Sequence, residues 1–346
     1  MEHGGDLLTY ESLYDGELID FSSNINPLGP PEGLNEVLVS SFQALTAYPD
    51  IKYRKLKSAI SKYLRCEEKN ILVGNGAVEI INNFVMPAKK VIVMTPSFSE
   101  YENRAIAHGK LVSRIPYSDF TIDIKAIEYT IRENDLLILG NPNNPTGLRL
   151  PKDKLIEVYK LIKKSNAFLL LDEAFFEFCP EDYDSIDLFK QYNYENIGII
   201  RAATKFFALP GIRLGYGCTS IAKVKEIGGI ELPWSVNSLA DAAGQFIFNA
   251  NEFIKESKTY IETERNFLLK ELSTIEGIKP YNTNTNFILI KLISWNEEYI
   301  FNYFLKKGIV IRKCSSFKEL NENHIRVAIK DRENNLKLIE RFQELK

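Results

Sequence analysis

The stretch "NIGIIRAATKFFALPGIRLGYG" (residues 196–217) joins an apolar run to a segment that carries charged side chains. Its beginning predicts a buried strand, and Lys205 and Arg213 follow among phenylalanine, leucine and isoleucine. Charged side chains in apolar surroundings are usually paired or functional. The sequence therefore predicts a chemical role for Lys205 and an anion that binds Arg213.

Other short apolar runs end in polar or Gly/Pro turns in the same way. They are "NILVGNG" (70–76), "KKVIVMTPS" (89–97), "DLLILGNPNNPTG" (135–147) and "AFLLLDEAFFEF" (167–178). Helical patterns such as "PKDKLIEVYKLIKKS" (151–165) lie between them. This alternation predicts an α/β fold with a three-layer α/β/α arrangement around a mainly parallel sheet. Ligands of such sheets bind outside the carboxyl ends of the strands, so the site is expected there.

The pattern changes near residue 250, where a long charged helical segment precedes the short strands "NFILIKL", "GIVIRKC" and "HIRVAIK". This arrangement predicts a smaller α+β domain. We expect a large cofactor-binding domain at 32–246, and a small substrate-closing domain formed by 1–31 and 247–346.

The composition is that of an ordinary globular protein, with 45% hydrophobic and 26% charged residues among 346. A net charge of −3 gives no reason to expect nucleic acid or an anionic membrane as a partner. The apolar runs fall short of a membrane span, and the start "MEHGGDLLTYESL" has no secretory-signal pattern. The 4 cysteines show no CxxC pairing. We therefore expect a cytoplasmic protein with reduced thiols and no metal site.

Polar residues occur where the predicted strands end. Asp172 directly follows four apolar residues, and a carboxylate there needs a cationic partner to offset its desolvation. Asn144 lies in the turn-like "GNPNNPTG" (140–147), and "GNGAVEIINNF" (74–84) predicts a helix whose N-terminal amides would bind an anion. Each segment also has a plainer interpretation, as a solvated acid, a helix cap or a turn.

Pyridoxal phosphate matches all of these groups together. Its aldehyde would react with Lys205, its phosphate would bind Arg213 and the helix amides, and Asp172 would keep its pyridine nitrogen protonated. A ring held in that state acts as an electron sink.

The segments "NPNNPTG", "LDEAFFEF" and "TKFFALPGIRLGYG", in this order, resemble those of fold-type I pyridoxal-phosphate enzymes, the aspartate aminotransferase superfamily. The resemblance covers essentially the whole chain. It implies that Lys205 bonds to the cofactor, that Asp172 pairs with the ring nitrogen and that Asn144 lies near the ring hydroxyl. Further implied cofactor contacts are Thr204, Arg213 and the backbone amides of Gly76 and Ala77 at the phosphate, Phe98 on the ring face, and Tyr48 at the phosphate of the neighbouring subunit. The contact from Tyr48 requires a homodimer.

Within the superfamily, the chain resembles the branch that contains histidinol-phosphate aminotransferases and threonine-phosphate decarboxylases. The features that resemble the decarboxylases are "HGGD" (3–6), "DFSSNINPLGPP" (20–31), "LPWSVNSLA" (232–240), Phe175 in place of a tyrosine, and the arginines Arg312 and Arg326. The resemblance implies a small phosphorylated amino-acid substrate, bound by His3, Gly4, Asn24, Asn144, Arg312 and Arg326. The implied reaction is decarboxylation of L-threonine O-3-phosphate to (R)-1-amino-2-propanol O-2-phosphate, a step of cobalamin biosynthesis.

Two alternatives stay open: an aminotransferase for histidinol phosphate or a related amino acid, and a regulatory module without catalysis. The intact Lys205, Asp172 and Arg213 argue against a regulatory module. Ala202 stands where relatives usually carry a phosphate-binding serine, and Val78 replaces a frequent threonine. These replacements predict weaker cofactor binding unless backbone amides and charged groups suffice, because a hydrogen bond to a charged group contributes about 1.5–3 kcal/mol.

Overall fold

The computed structural model describes residues 4–345. Its strands are β1 (Ile19–Asp20), β2 (Ile71–Asn75), β3 (Lys90–Thr95), β4 (Leu111–Pro116), β5 (Leu136–Gly140), β6 (Phe168–Asp172), β7 (Ile197–Ala202), β8 (Leu214–Thr219), β9 (Ile278–Pro280), β10 (Phe287–Leu292), β11 (Ile309–Val310), β12 (Arg312–Lys313) and β13 (His324–Ala328). All the runs predicted as strands contain one, and β1, β4, β8 and β9 are additional.

The helices follow the amphipathic patterns of the sequence. They are α1 (Leu34–Ser40), α2 (Arg54–Leu64), α3 (Ala77–Val85), α4 (Glu100–Ala107), α5 (Ile124–Thr130), α6 (Lys152–Lys164), α7 (Ser185–Lys190), α8 (Ala203–Phe206), α9 (Ile221–Gly228), α10 (Ser238–Ile247), α11 (Asn251–Leu272), α12 (Glu297–Leu305) and α13 (Arg332–Gln343). Short 3-10 helices lie at Glu11–Leu13, Phe42–Thr46, Glu68–Asn70 and Phe176–Phe178. Within residues 4–345, no helix is both long and apolar enough to cross a membrane.

The large sheet has seven strands in the order β2-β8-β7-β6-β5-β3-β4. Neighbouring strands from β4 to β7 pair in parallel, whereas β8 runs antiparallel to both β7 and β2. Strands β5, β6 and β7 therefore end at the edge of the sheet where β8 begins. That edge gathers segments that are distant in sequence.

Both faces of this sheet are covered, as the near-continuous apolar strands predicted. Successive residues of β5 belong to different apolar clusters, with Leu136 and Ile138 in one and Leu137 and Leu139 in the other. Helix α3 contributes to the first cluster and α6 to the second. The arrangement is the predicted three-layer α/β/α architecture, and burial of these side chains is its main stabilising contribution.

A four-stranded antiparallel sheet, in the order β12-β13-β10-β9, forms the C-terminal part. Strand β1, near the N-terminus, pairs in parallel with β11 through Ile19 with Ile309 and Asp20 with Val310. These two strands form a small sheet of their own, which attaches the N-terminal segment to the C-terminal part of the chain. This pairing brings residues near 20 to the rim of the large sheet.

Candidate active site

A cavity of about 480 Å³ lies at the edge of the large sheet where β5, β6 and β7 end. Its lining includes nearly all of the residues that the sequence proposed for the site: Gly4, Asn24, Ala77, Phe98, Asn144, Asp172, Thr204, Lys205, Arg213, Arg312 and Arg326. Gly76 directly precedes this lining at the N-terminus of α3. Residue 3, the predicted substrate-binding histidine His3, lies outside the described residues.

Lys205 lies on the short helix α8, which follows β7 directly. Burial lowers the pKa of its ammonium group to about 8, and the positive charges of Arg326 and Arg213 add to this effect while Asp20 opposes it. The amine is therefore neutral more often near physiological pH than that of an exposed lysine, and the neutral form is the nucleophile that attacks an aldehyde.

Arg213 immediately precedes β8 and adopts a left-handed backbone with φ of 61°. Because β8 is antiparallel, this position lies at the same edge as the exits of the parallel strands. The guanidinium packs directly on Gly76, where an added Cβ would lie 2.3 Å from Nη2 of Arg213. Gly215 permits a second close approach, since a Cβ there would lie 2.5 Å from the amide nitrogen of Ala77. The two glycines bring the arginine and the first amides of α3 together in a cradle for an anion.

Asp172 is the last residue of β6 and is only 7% exposed. Its Oδ2 accepts a 2.8 Å hydrogen bond from the phenol of Tyr101, and its Oδ1 accepts a 3.0 Å bond from the backbone N–H of Ala174. Burial raises the pKa of this carboxyl group, while the two donors act in the opposite direction. A cationic ring nitrogen would complete its environment.

Asn144 has a defined amide orientation, because its Oδ1 accepts a hydrogen bond from Nη1 of Arg326. The Nδ2 group then remains as the donor that this side chain offers to a ligand. Arg326 also donates to the carbonyl oxygen of Ser22 over 3.0 Å. One arginine thus connects the turn after β5 to the N-terminal segment.

Arg312 and Arg326 are directly opposite each other on the antiparallel strands β12 and β13. Both are buried, at 2% and 5% exposure, and both line the cavity. Arg312 donates to Oγ of Ser316 over 2.7 Å. Two like charges on one face of a sheet repel each other, and an anion bound between them would relieve this repulsion.

The N-terminal segment closes one side of the cavity. The carboxylate of Asp20 accepts hydrogen bonds from the backbone and side chains of Ser22 and Ser23, which holds the turn before Asn24. Oδ1 of Asn24 is buried and has no hydrogen-bond partner among the described residues. Gly4 lies so close to this turn that a Cβ would approach the carbonyl oxygen of Ser22 to 2.1 Å. An unpartnered buried oxygen is expected to meet a ligand donor.

The apolar wall of the cavity includes Phe98 and Phe175. Phe98 contacts Tyr101 edge to face at 5.6 Å between ring centroids. Phe175 is 6% exposed and packs edge to face against Phe287 at 5.0 Å. No hydroxyl group is therefore present where Phe175 borders the cavity.

Tyr48 is the one proposed cofactor contact among the described residues that lies away from this cavity. Its side chain is 79% exposed and stacks on Trp234 with 4.5 Å between ring centroids. This position suits a side chain that acts outside its own subunit.

Ala202 and Val78 both line the cavity and offer no side-chain hydrogen bond there. Ala202 is the N-cap residue of α8, without a side-chain capping bond. The donors left for an anion are Arg213, Thr204 and the first backbone amides of α3.

Tyr101 and the Asp20 turn are site features that the sequence interpretation missed. The sequence did contain a signal for Tyr101. It lies three residues after Phe98 at the start of a helix, and this spacing places both rings on the same side of the helix. Arg201, by contrast, is structural: it forms a buried ion pair with Glu173 at 2.9 Å and with Asp184 at 2.7 Å.

The residues present fit pyridoxal phosphate. The buried Asp172, the partly neutral Lys205 and the Arg213–Gly76 cradle are the carboxylate, amine and anion site that this cofactor needs. Asn24, whose Oδ1 is unpartnered, lines the same cavity. The described residues contain no cluster of metal-ligating side chains.

Comparisons with known proteins agree with this chemistry. A sequence profile named "Aminotransferase class I and II" matches residues 16–342. A Caldanaerobacter subterraneus protein with the provisional name threonine-phosphate decarboxylase is 40% identical, over 99% of this chain and 94% of its own. A histidinol-phosphate aminotransferase from Clostridium novyi is 34% identical, over 96% of this chain and 93% of its own.

Solved structures of histidinol-phosphate aminotransferases also align with this chain. The crystal structure of the histidinol-phosphate aminotransferase from Clostridium acetobutylicum aligns with a TM-score of 0.89 and 36% identity, over 94% of this chain and 98% of that one. A histidinol-phosphate aminotransferase from Sinorhizobium meliloti, solved with pyridoxal-5'-phosphate, shares the fold with a TM-score of 0.84 at 21% identity, over 93% of this chain and 89% of that one.

Proposed function

Since the chain belongs to the class I and II aminotransferase family, whose cofactor is pyridoxal phosphate, we propose that it decarboxylates L-threonine O-3-phosphate. The products are CO₂ and (R)-1-amino-2-propanol O-2-phosphate, and the proposed context is cobalamin biosynthesis. The 40% identical relative with the provisional decarboxylase name supports this choice.

The observation that carries the proposal is the cross-strand pair of Arg312 and Arg326 at the cavity. A substrate with both a carboxylate and a phosphate would neutralise two guanidinium groups, each through bidentate hydrogen bonds. Arg326 forms no ion pair within residues 4–345, and its guanidinium donates hydrogen bonds to the neutral oxygens of Asn144 and Ser22. The cavity is therefore suited to an anion with more than one acidic group.

When bound, pyridoxal phosphate supplies an aldehyde for the substrate amine and a protonated ring that withdraws electrons from the bonds at Cα. Asp172 would hold the proton on the ring nitrogen, and Arg213 with the amides of α3 would hold the phosphate. The two arginines, one at the carboxylate and one at the phosphate, would orient the substrate so that the Cα–carboxylate bond breaks and CO₂ leaves. Lys205, with a pKa near 8, delivers the proton that replaces the carboxylate at Cα.

A second candidate is amino transfer from histidinol phosphate to 2-oxoglutarate. It is favoured by the likeness to the Clostridium acetobutylicum aminotransferase at 36% identity. In that reaction the Cα–H bond breaks, and Lys205 removes the proton.

The two candidates are separated by assaying the purified holoenzyme with each substrate. We expect CO₂ release and an aminopropanol phosphate product from L-threonine O-3-phosphate. Glutamate formation from histidinol phosphate and 2-oxoglutarate, without CO₂ release, would overturn the proposal. Arg326→Gln should raise KM by roughly tenfold or more, because it removes a charge-assisted contact. Arg114→Gln is the matched control, since Arg114 pairs with Glu102 on the surface.

We also propose a homodimer in which Tyr48 reaches the phosphate site of the partner subunit. The exposure of Tyr48 and its stacking on Trp234 support this, since both rings would be covered by a second copy. Mixed dimers test it. Tyr48→Ala and Lys205→Ala subunits are each expected to be weakly active, whereas a mixed dimer would contain one site with both native residues. Absence of any recovery after mixing and subunit exchange would count against the shared site.

The division into 32–246 and 1–31 with 247–346 remains a proposal. The parallel pairing of β1 with β11 supports it, because this contact attaches the N-terminal segment to the C-terminal part of the chain. Proteolysis that separates the two units at their junctions would test the boundaries.

A further inference from the structure

The phenol of Tyr101 makes a contact that the proposed reaction leaves unexplained. Tyr101 lies in the first turn of α4, is only 2% exposed, and donates to Oδ2 of Asp172 over 2.8 Å. The backbone N–H of Ala174 donates to the other carboxylate oxygen over 3.0 Å. Each oxygen of Asp172 thus has a donor on the protein, and the plane of the carboxylate is fixed from two sides.

The hydrogen bond from Tyr101 offsets part of the desolvation cost of the ionised Asp172. Burial disfavours the ionised form of Asp172, and a phenol O–H that donates to the carboxylate restores part of its stability. Burial and the neighbouring Asp172 raise the pKa of Tyr101 well above its usual value, so the phenol keeps its proton throughout the working range. Tyr101 is therefore a permanent donor to this carboxylate.

The ring of Tyr101 is held independently of its hydroxyl. It packs edge to face on Phe98, with an interplanar angle of 89°, and Phe98 lines the cavity beside it. The same residue pair therefore positions one wall of the ring site and the carboxylate that the ring nitrogen would meet.

We propose that Tyr101 is a positioning residue that keeps Asp172 ionised and aimed at the ring nitrogen of the cofactor. The inference rests on the proposed role of Asp172 and goes beyond it by assigning the group that sustains that role. If Tyr101 only filled space, removal of its oxygen atom would leave the cofactor site unchanged.

The test uses Tyr101→Phe, which deletes the oxygen and keeps the ring. Cofactor-free protein is titrated with pyridoxal phosphate by calorimetry at about pH 6 and about pH 8.5. Without its donor, the buried carboxyl group takes up a proton more readily and can no longer pair with a protonated ring nitrogen. We expect affinity roughly tenfold lower than wild type near pH 6, and a smaller difference near pH 8.5. The pH dependence of the visible absorbance of the bound cofactor should shift in the same variant.

The other titratable or charged groups around this pair are Tyr117, beside Tyr101, and the cavity-lining residues Glu100, Lys205, Arg213, Arg312 and Arg326. They are unchanged in the variant, so their titration is common to both proteins. The comparison between variant and wild type therefore isolates the Tyr101–Asp172 contact.

Tyr216→Phe is a matched control. The phenol of Tyr216 donates to buried Glu177 over 2.8 Å, the same distance as in the Tyr101–Asp172 pair, and neither residue lines the cavity. This variant should lose stability without a change in cofactor affinity or absorbance. An equal loss of affinity in Tyr216→Phe would mean that a general loss of stability explains the effect, and would overturn the inference.

Asp172→Asn and the double variant Asp172→Asn/Tyr101→Phe complete a double-mutant cycle with Tyr101→Phe and the wild type. If Tyr101 acts through Asp172, its substitution should change affinity little once Asp172 is already replaced. An unchanged affinity in Asp172→Asn alone would contradict the proposed site. A large effect of Asp172→Asn together with wild-type behaviour of Tyr101→Phe would contradict only the inference.

Discussion

Replacement of Gly76 by alanine tests the anion cradle most directly. Gly76 precedes α3 with φ of 75° and ψ of 164°, a conformation that is essentially restricted to glycine. Its added Cβ would lie 2.3 Å from Nη2 of Arg213 and 2.9 Å from Cζ, so the guanidinium has to move.

Two separate magnitudes follow from this geometry. The backbone strain should lower the free energy of unfolding of the cofactor-free protein by about 1–3 kcal/mol. Displacement of Arg213 should remove a charge-assisted hydrogen bond to the cofactor phosphate, which corresponds to roughly tenfold to hundredfold weaker binding. The loss of affinity is thus expected on top of the loss of stability.

Chemical denaturation of the cofactor-free protein measures the first effect, and calorimetric titration with pyridoxal phosphate measures the second. Gly211→Ala is the control, because a Cβ at Gly211 meets no atom within 4 Å. Titration with pyridoxal, which lacks the phosphate, should show little difference between Gly76→Ala and wild type. Wild-type affinity for pyridoxal phosphate in Gly76→Ala would refute the assignment of this cradle to the phosphate.

Three further predictions concern the charged and aromatic residues of the same region. Lys205→Met should stabilise the cofactor-free protein by about 3 kcal/mol near pH 7, because the folded pKa of Lys205 is about 8, below its unfolded value. Urea unfolding should show this gain declining as the pH rises from about 8 to about 10.5, and a gain independent of pH would contradict the cause. Phe175→Tyr adds a donor at the cavity wall and should shift the pH midpoint of the bound cofactor's absorbance, whereas the exposed control Phe42→Tyr should not. Arg201→Met breaks a buried ion pair and should lower the free energy of unfolding by about 3–5 kcal/mol, as thermal unfolding would show. Arg213→Gln should mainly weaken cofactor binding, as calorimetric titration would show. The reverse pattern would refute the assignment of a structural role to Arg201 and a cofactor-binding role to Arg213.

Much of the large sheet was predictable because its strands are buried on both faces and stand out as apolar runs. The carboxyl ends of β5, β6 and β7 were predictable for the same reason. The positions of Asn144, Asp172 and Lys205 at or just after these strand ends were therefore predictable too. Strand β8 was missed because "LGYGCT" contains two glycines and lacks a continuous run of large apolar side chains. Its antiparallel direction is what delivers Arg213 to the site.

Arg201 and Arg213 show where local patterns stop being informative. Both lie in one apolar segment and look alike in the sequence. The fold buries Arg201 against Glu173 and Asp184 and directs Arg213 to Gly76. Which carboxylate or cavity a guanidinium meets depends on elements that are far apart along the chain.

The sequence by itself determined the layered α/β fold, the family and the cofactor, because these depend on apolar periodicity and on short contiguous motifs; it also predicted Lys205 as the lysine that bonds to the cofactor. Only the tertiary structure decided that Arg312 and Arg326 are cross-strand neighbours, that Tyr101 donates to Asp172 and that Arg213 rests on Gly76. Strand direction, register and side-chain distance are set by long-range packing, and hydrogen bonds and charge interactions act over a few ångströms of space. The segment 196–217 contains Lys205 and Arg213, and the folded chain brings each of them together with the groups on which its proposed role depends.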